Sequence, residues 1–210
     1  MTADRRLRVG GWAALLVAIL APLQVIAIWL YAGSFPGLTS PDPWTSEPYL
    51  AFDVARLIAV LIAVVGLDGL FRSRDADVAR RLLAVGVSGA VIGFAADGWI
   101  FLGGAGHAEG AYGLIDLAAD LLVAAWFVGG GLILLTSGRQ LARIGWTAIL
   151  GGAGQVLTAV CVATGFGGIP GISGTALIDW FLLIGLFVVV YLVRVWRYVV
   201  GGRLPGPGIV

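Results

Sequence analysis

The chain contains no lysine: all 13 of its basic residues are arginines. That removes Schiff-base chemistry, retinal linkage included, because both need a lysine amine. A single cysteine, Cys161, lies in an apolar run. It offers neither a disulfide framework nor a dithiol motif, and reads as a small buried hydrophobe. One histidine, His107, cannot supply a haem pair or a histidine-rich metal site. Charged residues make up only 12% of the chain and nearly cancel, to +1, so there is no electrostatic footprint for nucleic acid. No GxSxG, HExxH, CxxC or Walker pattern occurs, and no cofactor is expected.

What remains is apolar. Hydrophobic residues account for 60% of the 210 positions, and the mean hydropathy is +1.00. Such values belong to membrane proteins. A spanning helix needs ~20 mostly apolar residues. Six runs qualify: Val9–Tyr31, Tyr49–Phe71, Leu82–Leu102, Tyr112–Leu135, Ile144–Phe166 and Thr175–Tyr198. The first follows Arg5, Arg6 and Arg8, as in a signal peptide, but it exceeds an h-region of ~7–15 residues and is expected to stay as a span. Arginines flank alternate connections only: Arg5, Arg6 and Arg8; then Arg72, Arg74, Arg80 and Arg81; then Arg139 and Arg143; then Arg194, Arg197 and Arg203. The other three loops have none, and hold Asp42, Glu47, His107 and Glu109. The positive-inside rule then puts both termini in the cytoplasm. The expectation is an all-α, polytopic six-helix transmembrane bundle in the plasma membrane, a single domain over residues 1–210. Arginine, alanine and glycine in place of lysine point to a GC-rich bacterial genome.

A faint repeat runs through this layout. Even-numbered spans open with YLAFD, YGLID and TALID, ending at Asp53, Asp116 and Asp179. Odd-numbered spans carry Gln24, Asp97 and Gln155 at similar depth. Three repeated helical hairpins would give this pattern, as in transporter folds; so would duplicated hairpins with no transport role. The 33 glycines cluster inside spans, with Gly89 and Gly93 forming a GxxxG pair. Small residues let membrane helices approach closely, within the bundle or in a homodimer.

The polar residues are placed unevenly. At ~1.5 Å per residue from the outer end, Asp53, Asp116 and Asp179 lie about 6 Å deep, Asp97 and Arg56 about 8–10 Å, Asp120 about 12 Å, and Gln24 and Gln155 about 14–16 Å. Five aspartates and one arginine thus occupy the outer third, whereas the inner half has nothing comparable. Asp68, near the inner edge, is placed to pair with Arg72 at i, i+4. Ionisable groups inside a bilayer are costly and seldom face lipid, so a polar cavity over a closed apolar floor is expected. Asp53 and Arg56 share a face, and Arg56 could also reach a carboxylate on a neighbouring helix. For Asp53, Asp116 and Asp179 the competing reading is capping of helix N-termini. Asp97 and Asp120 lie too deep for that. Phe94, Trp99 and Trp126 sit near this level, where an aromatic wall would stabilise a cation; simple packing is the alternative. Trp12 and Trp146 read as interfacial belt residues.

The DLAAD stretch, Asp116 to Asp120, has the DxxxD spacing of intramembrane prenyltransferases, but the companion motif is missing and this one faces outward. RSRDADVARR (Arg72–Arg81) lacks the ordered aspartates of CDP-alcohol phosphotransferases and reads as a solvated turn. His107 and Glu109 read as loop residues in water. The layout resembles that of small bacterial six-span families, through RVGGW (Arg8–Trp12) and ARIGWTAILGGAG (Ala142–Gly154). That resemblance implies topology and carries no catalytic residue.

Three functions fit these observations. The first is an intramembrane acid–base enzyme acting on a hydrophobic, isoprenoid- or terpenoid-like substrate, in the manner of a class II terpene cyclase. Asp97, Asp120 and Asp116 would be its catalytic acids. Arg56, Asp53, Asp179, Phe94, Trp99, Trp126, Gln24 and Gln155 would surround the substrate. The second is a small proton-coupled transporter, and the third an accessory subunit of a membrane complex. The expected partners are membrane lipids, a hydrophobic small molecule and, through the glycine faces, a second copy of the chain.

Overall fold

In a computed structural model, the structure describes residues 2–34, 47–101, 109–163 and 186–201. Among them are six helices and no strand: α1 (Ala3–Ser34), α2 (Glu47–Arg72), α3 (Ala76–Phe101), α4 (Glu109–Leu135), α5 (Arg139–Ala163) and α6 (Phe187–Val200). Four of them, α1 to α4, are long and apolar enough to cross a membrane. Each falls on an expected span. The outer loops, His107, Asp179 and the first half of the sixth span lie outside the described residues, as do the side chains of Gln24, Glu109 and Cys161.

Each helix packs on the next, and α6 packs on both α5 and α1, so the order closes into a ring. Short connections, 73–75 and 136–138, make α2/α3 and α4/α5 antiparallel hairpins. Gly10 of α1 abuts Gly66 near the end of α2, and Gly11 abuts Val199 and Val200 at the end of α6. The starts of α1, α3 and α5 and the ends of α2, α4 and α6 therefore share one end of the bundle. Arg5, Arg6, Arg8, Arg72, Arg74, Arg80, Arg81, Arg139, Arg143, Arg194 and Arg197 all sit there. The RSRDADVARR turn is mostly exposed, and Asp75 Oδ1 caps α3 by accepting the N–H groups of Asp77 (3.1 Å) and Val78 (3.0 Å).

Glycine sets the spacing of the ring. A methyl group on Gly10 would lie 2.7 Å from the carbonyl carbon of Gly66, and one on Gly131 the same distance from the Gly145 carbonyl oxygen. These seams exist because backbone meets backbone, the packing mode of helices that gain little from hydrophobic burial against lipid. Leu16, Ile19, Ile62, Val65, Leu132 and Trp146 are exposed, as a bilayer requires. The interior is filled by Leu67, Phe71, Trp126, Phe127, Leu134, Tyr191 and Leu192.

Candidate functional site

At the end of the ring away from the basic turns, three helices converge on one polar cluster. Helix α2 brings Asp53 and Arg56, α3 brings Asp97, and α4 brings Asp116 and Asp120. Asp53, Asp97 and Asp116 each place a carboxylate oxygen within 4.8 Å of the others. Arg56 Nε donates to Asp53 Oδ1 at 2.6 Å, and its Nη2 lies 2.5 Å from the same oxygen. That Nη2 also reaches Asp120 Oδ1 on α4 at 3.5 Å. The expected cross-helix role of Arg56 is therefore present, with one guanidinium linking α2 to α4.

Burial divides the cluster. Asp53 and Asp97 are fully buried, and the Arg56 side chain is 11% exposed. Asp116 is half-buried, and the Asp120 side chain is 43% exposed. Asp116 and Asp120, one turn apart on α4, thus form the open edge of a centre whose back is sealed.

Both α2 and α4 begin earlier than their apolar runs, at Glu47 and Glu109. Asp53 and Asp116 consequently lie beyond the first turn and out of reach of its free N–H groups. Capping does not account for them. Asp53 is instead held by Arg56, three residues on.

Directly beneath the acids the helices close up. A methyl group on Gly93 would come within 3.1 Å of both Leu57 methyls, and one on Gly89 would lie 2.9 Å from Leu122 Cβ and 3.0 Å from the Ala119 carbonyl oxygen. The GxxxG pair is thus used inside the chain, against α2 and α4. One turn further, Gly86 makes room for Trp126, which sits edge-on to Phe71 (centroids 5.9 Å apart) and Phe127 (5.1 Å). Phe127 in turn meets Tyr191 of α6 edge-on at 5.7 Å. This aromatic chain floors the site.

Of the other expected site residues, Trp126 belongs to that packed floor, and Phe94 and Trp99 are 47% and 53% exposed on α3. Gln155 is half-buried on α5. Phe71 and Tyr191 join the floor through aromatic partners on α4, Trp126 and Phe127, and no spacing within their own spans marks them. The chain has no significant match among protein-family models, curated proteins or solved structures.

Four carboxylates around one guanidinium cannot all be charged at little cost, because like charges a few ångströms apart in a poor dielectric repel strongly. The cluster's oxygen-only donors also suit a hard cation, but Arg56 already supplies positive charge at that place.

Proposed function

We propose that the chain is a six-span plasma-membrane protein with both termini in the cytoplasm, built from three related hairpins. We propose further that its acid cluster is the proton-donating centre of an intramembrane enzyme acting on a lipid-soluble, isoprenoid-like substrate. The observation that carries this reading is the cluster itself: four aspartates from α2 to α4 around Arg56, two of them fully buried, above a packed aromatic floor.

Asp120, at the open edge, delivers a proton to an alkene or epoxide of the substrate. Asp97 holds an exchangeable proton behind it, and Asp116 relays it along α4, while Asp53 stays paired with Arg56. Arg56 fixes the geometry and bounds the negative charge left on the cluster. Protonation of an alkene turns its π bond into a C–H bond and leaves a carbocation. Ring closure uses a second π bond to form a C–C bond and moves the cation to another carbon. Loss of a proton from the carbon beside it then forms the product's double bond and re-protonates the carboxylate, so the conversion is redox-neutral. A substrate arriving from the bilayer meets Phe94 and Trp99 on the outside of α3, whose π faces favour the cation. The closed floor favours such one-sided chemistry over proton-coupled passage through the bundle.

Mass spectrometry of small molecules that co-purify with the wild type, Asp97→Asn and Asp120→Asn tests the proposal. A specific isoprenoid that accumulates unconverted in the variants is the expected result. Bulk phospholipid alone in all three samples would sink the enzyme reading, and proton flux in liposomes would then decide for transport.

A further inference from the structure

Arg56 ties α2 to α4 unevenly. Within α2 its Nε donates to Asp53 Oδ1 at 2.6 Å, and Asp53 is fully buried. Across to α4 its Nη2 reaches Asp120 Oδ1 only at 3.5 Å, and the Asp120 side chain is 43% exposed. An ion pair weakens with distance and with access of water. The cross-helix half of this contact is therefore the half that lets go first, and Arg56 stays with Asp53 when it does.

Packing along the three helices is graded about the same point. Just below it α2, α3 and α4 meet: a methyl group on Gly93 would lie 3.1 Å from both Leu57 methyls and 3.4 Å from Ala119 Cβ. Leu57 follows Arg56 and Ala119 precedes Asp120, so this apolar layer lies directly against the contact. Past the acids the packing opens. A methyl group on Gly98 would meet nothing within 4 Å, and Ala51 of α2 and Leu114 of α4 are exposed. Elsewhere α2 and α4 hardly touch, since α3 lies between them. Their outer ends thus have a pivot at the Gly93 layer and a polar tie beside it.

We propose that Arg56 is a proton-sensitive latch: when Asp120 takes up a proton the contact opens, and the outer ends of α2 and α4 part about the Gly93 layer. The proton adds to a carboxylate oxygen of Asp120 and no other bond changes. A neutral carboxyl no longer attracts the guanidinium as a charge. The ionisable groups around Asp120 are Asp53 and Arg56 on α2, Asp97 on α3 and Asp116 on α4. The described ionisable side chains of α1 and α5, which pack on α2 and α4, all lie at the basic end. For the proposed enzyme the latch regulates the same centre, and that consequence rests on the proton-donor reading: the state of Asp120 that can donate is also the open one.

The test reads distance instead of turnover. Spin labels at Ala51→Cys and Leu114→Cys, in the full chain carrying Cys161→Ser and held in lipid nanodiscs, report the separation of the outer ends by double electron–electron resonance. Acidifying this parent chain from about pH 8 to about pH 4, near the ordinary aspartate value, should lengthen the distance by about 2 Å or more. Asp120→Asn should give the long distance under both conditions, and so should Arg56→Gln. Thermal midpoints show whether Arg56→Gln is folded; Asp120→Asn alters a partly exposed side chain and carries the test if it is not. Asp116→Asn, one turn away on the same helix, should behave as the parent. The latch is overturned if acid leaves the parent distance unchanged, or if Asp120→Asn keeps the short distance at about pH 8. It is overturned as well if Asp116→Asn lengthens the distance as much, since total cluster charge would then be the cause. A latch that opens in a chain carrying no isoprenoid sinks the enzyme reading alone, and a converted isoprenoid with a fixed distance sinks the latch alone.

Discussion

Helix α2 carries an arginine–aspartate pair near each end, and the two pairs share little beyond their chemistry. Near the basic end Arg72 reaches Asp68 one turn back at 2.5 Å, with the arginine side chain 51% exposed and the aspartate 15%. Near the other end Arg56 holds Asp53 at the same distance, with 11% and 0% exposure, and serves Asp120 as well. The first is an interfacial pair among many solvated arginines. The second holds, among the described residues, the one cation beside four carboxylates, two of which are fully buried. Surroundings, rather than residue type, set the two pairs apart. Water levels out the charge at one end; at the other, Asp53, Asp97, Asp116 and Asp120 lie close enough around Arg56 to act on one another.

The largest break in this contrast comes from Arg56→Gln. Removing one partner of a buried pair leaves an uncompensated charge, which costs roughly 3–5 kcal/mol. Unfolding of the variant in detergent should show a loss of that size. Adding Asp53→Asn should recover part of it, because the stranded charge goes too. Equal loss in the single and double variants would mean that Arg56 acts through packing and not through its charge.

The layer that separates the two ends is open to a second test, with opposite signs in one helix. A methyl group on Gly89 meets Leu122 and the α4 backbone, whereas Gly98 of the same helix has nothing within 4 Å. Gly89→Ala should destabilise by about 1–3 kcal/mol. Gly98→Ala should instead stabilise, by up to ~1 kcal/mol, through helix propensity. Two changes of the same sign would refute the close seam beneath the acids.

Much of this contrast was legible in the sequence. The Asp68–Arg72 pair follows from i, i+4 spacing, and the gathering of Asp53, Asp97, Asp116 and Asp120 follows from their common depth. Two kinds of feature were not. Hydropathy marks where lipid ends and not where a helix ends, so it leaves the polar first turns at Glu47 and Glu109 in the loops and capping open to Asp53 and Asp116. A helix apolar on every side also carries no amphipathic stripe to give its facing. Trp126 turns inward because Gly86, on another helix, leaves it room, while Phe94 and Trp99 turn outward. Such pairings across helices leave no mark within one span.

A smaller effect sharpens the description of the floor. The Tyr191 hydroxyl is fully buried and has no hydrogen-bond partner among the described residues. A buried hydroxyl in that state costs about 1–3 kcal/mol relative to a satisfied one. Tyr191→Phe should therefore match or exceed the wild type in stability, by about 1 kcal/mol, and keep the edge-on contact with Phe127. Clear destabilisation would show that the hydroxyl is satisfied, and that the floor is less dry than its packing implies.

The smallest effect is expected where the comparison began. Arg72→Gln removes a pair with the residue types and contact distance of the Arg56 pair. Half of the Arg72 side chain is exposed, so water and salt screen the attraction, and such pairs contribute less than ~1 kcal/mol. The loss should shrink further as ionic strength rises, whereas that of Arg56→Gln should hardly respond, because mobile ions do not reach a sealed seam. Measuring both variants at low and high salt turns the contrast into one number, the difference between their salt slopes. Parallel slopes would mean that water reaches Arg56 as freely as Arg72, and the cluster would then lack the sealed back that the burial of Asp53 and Asp97 gives it.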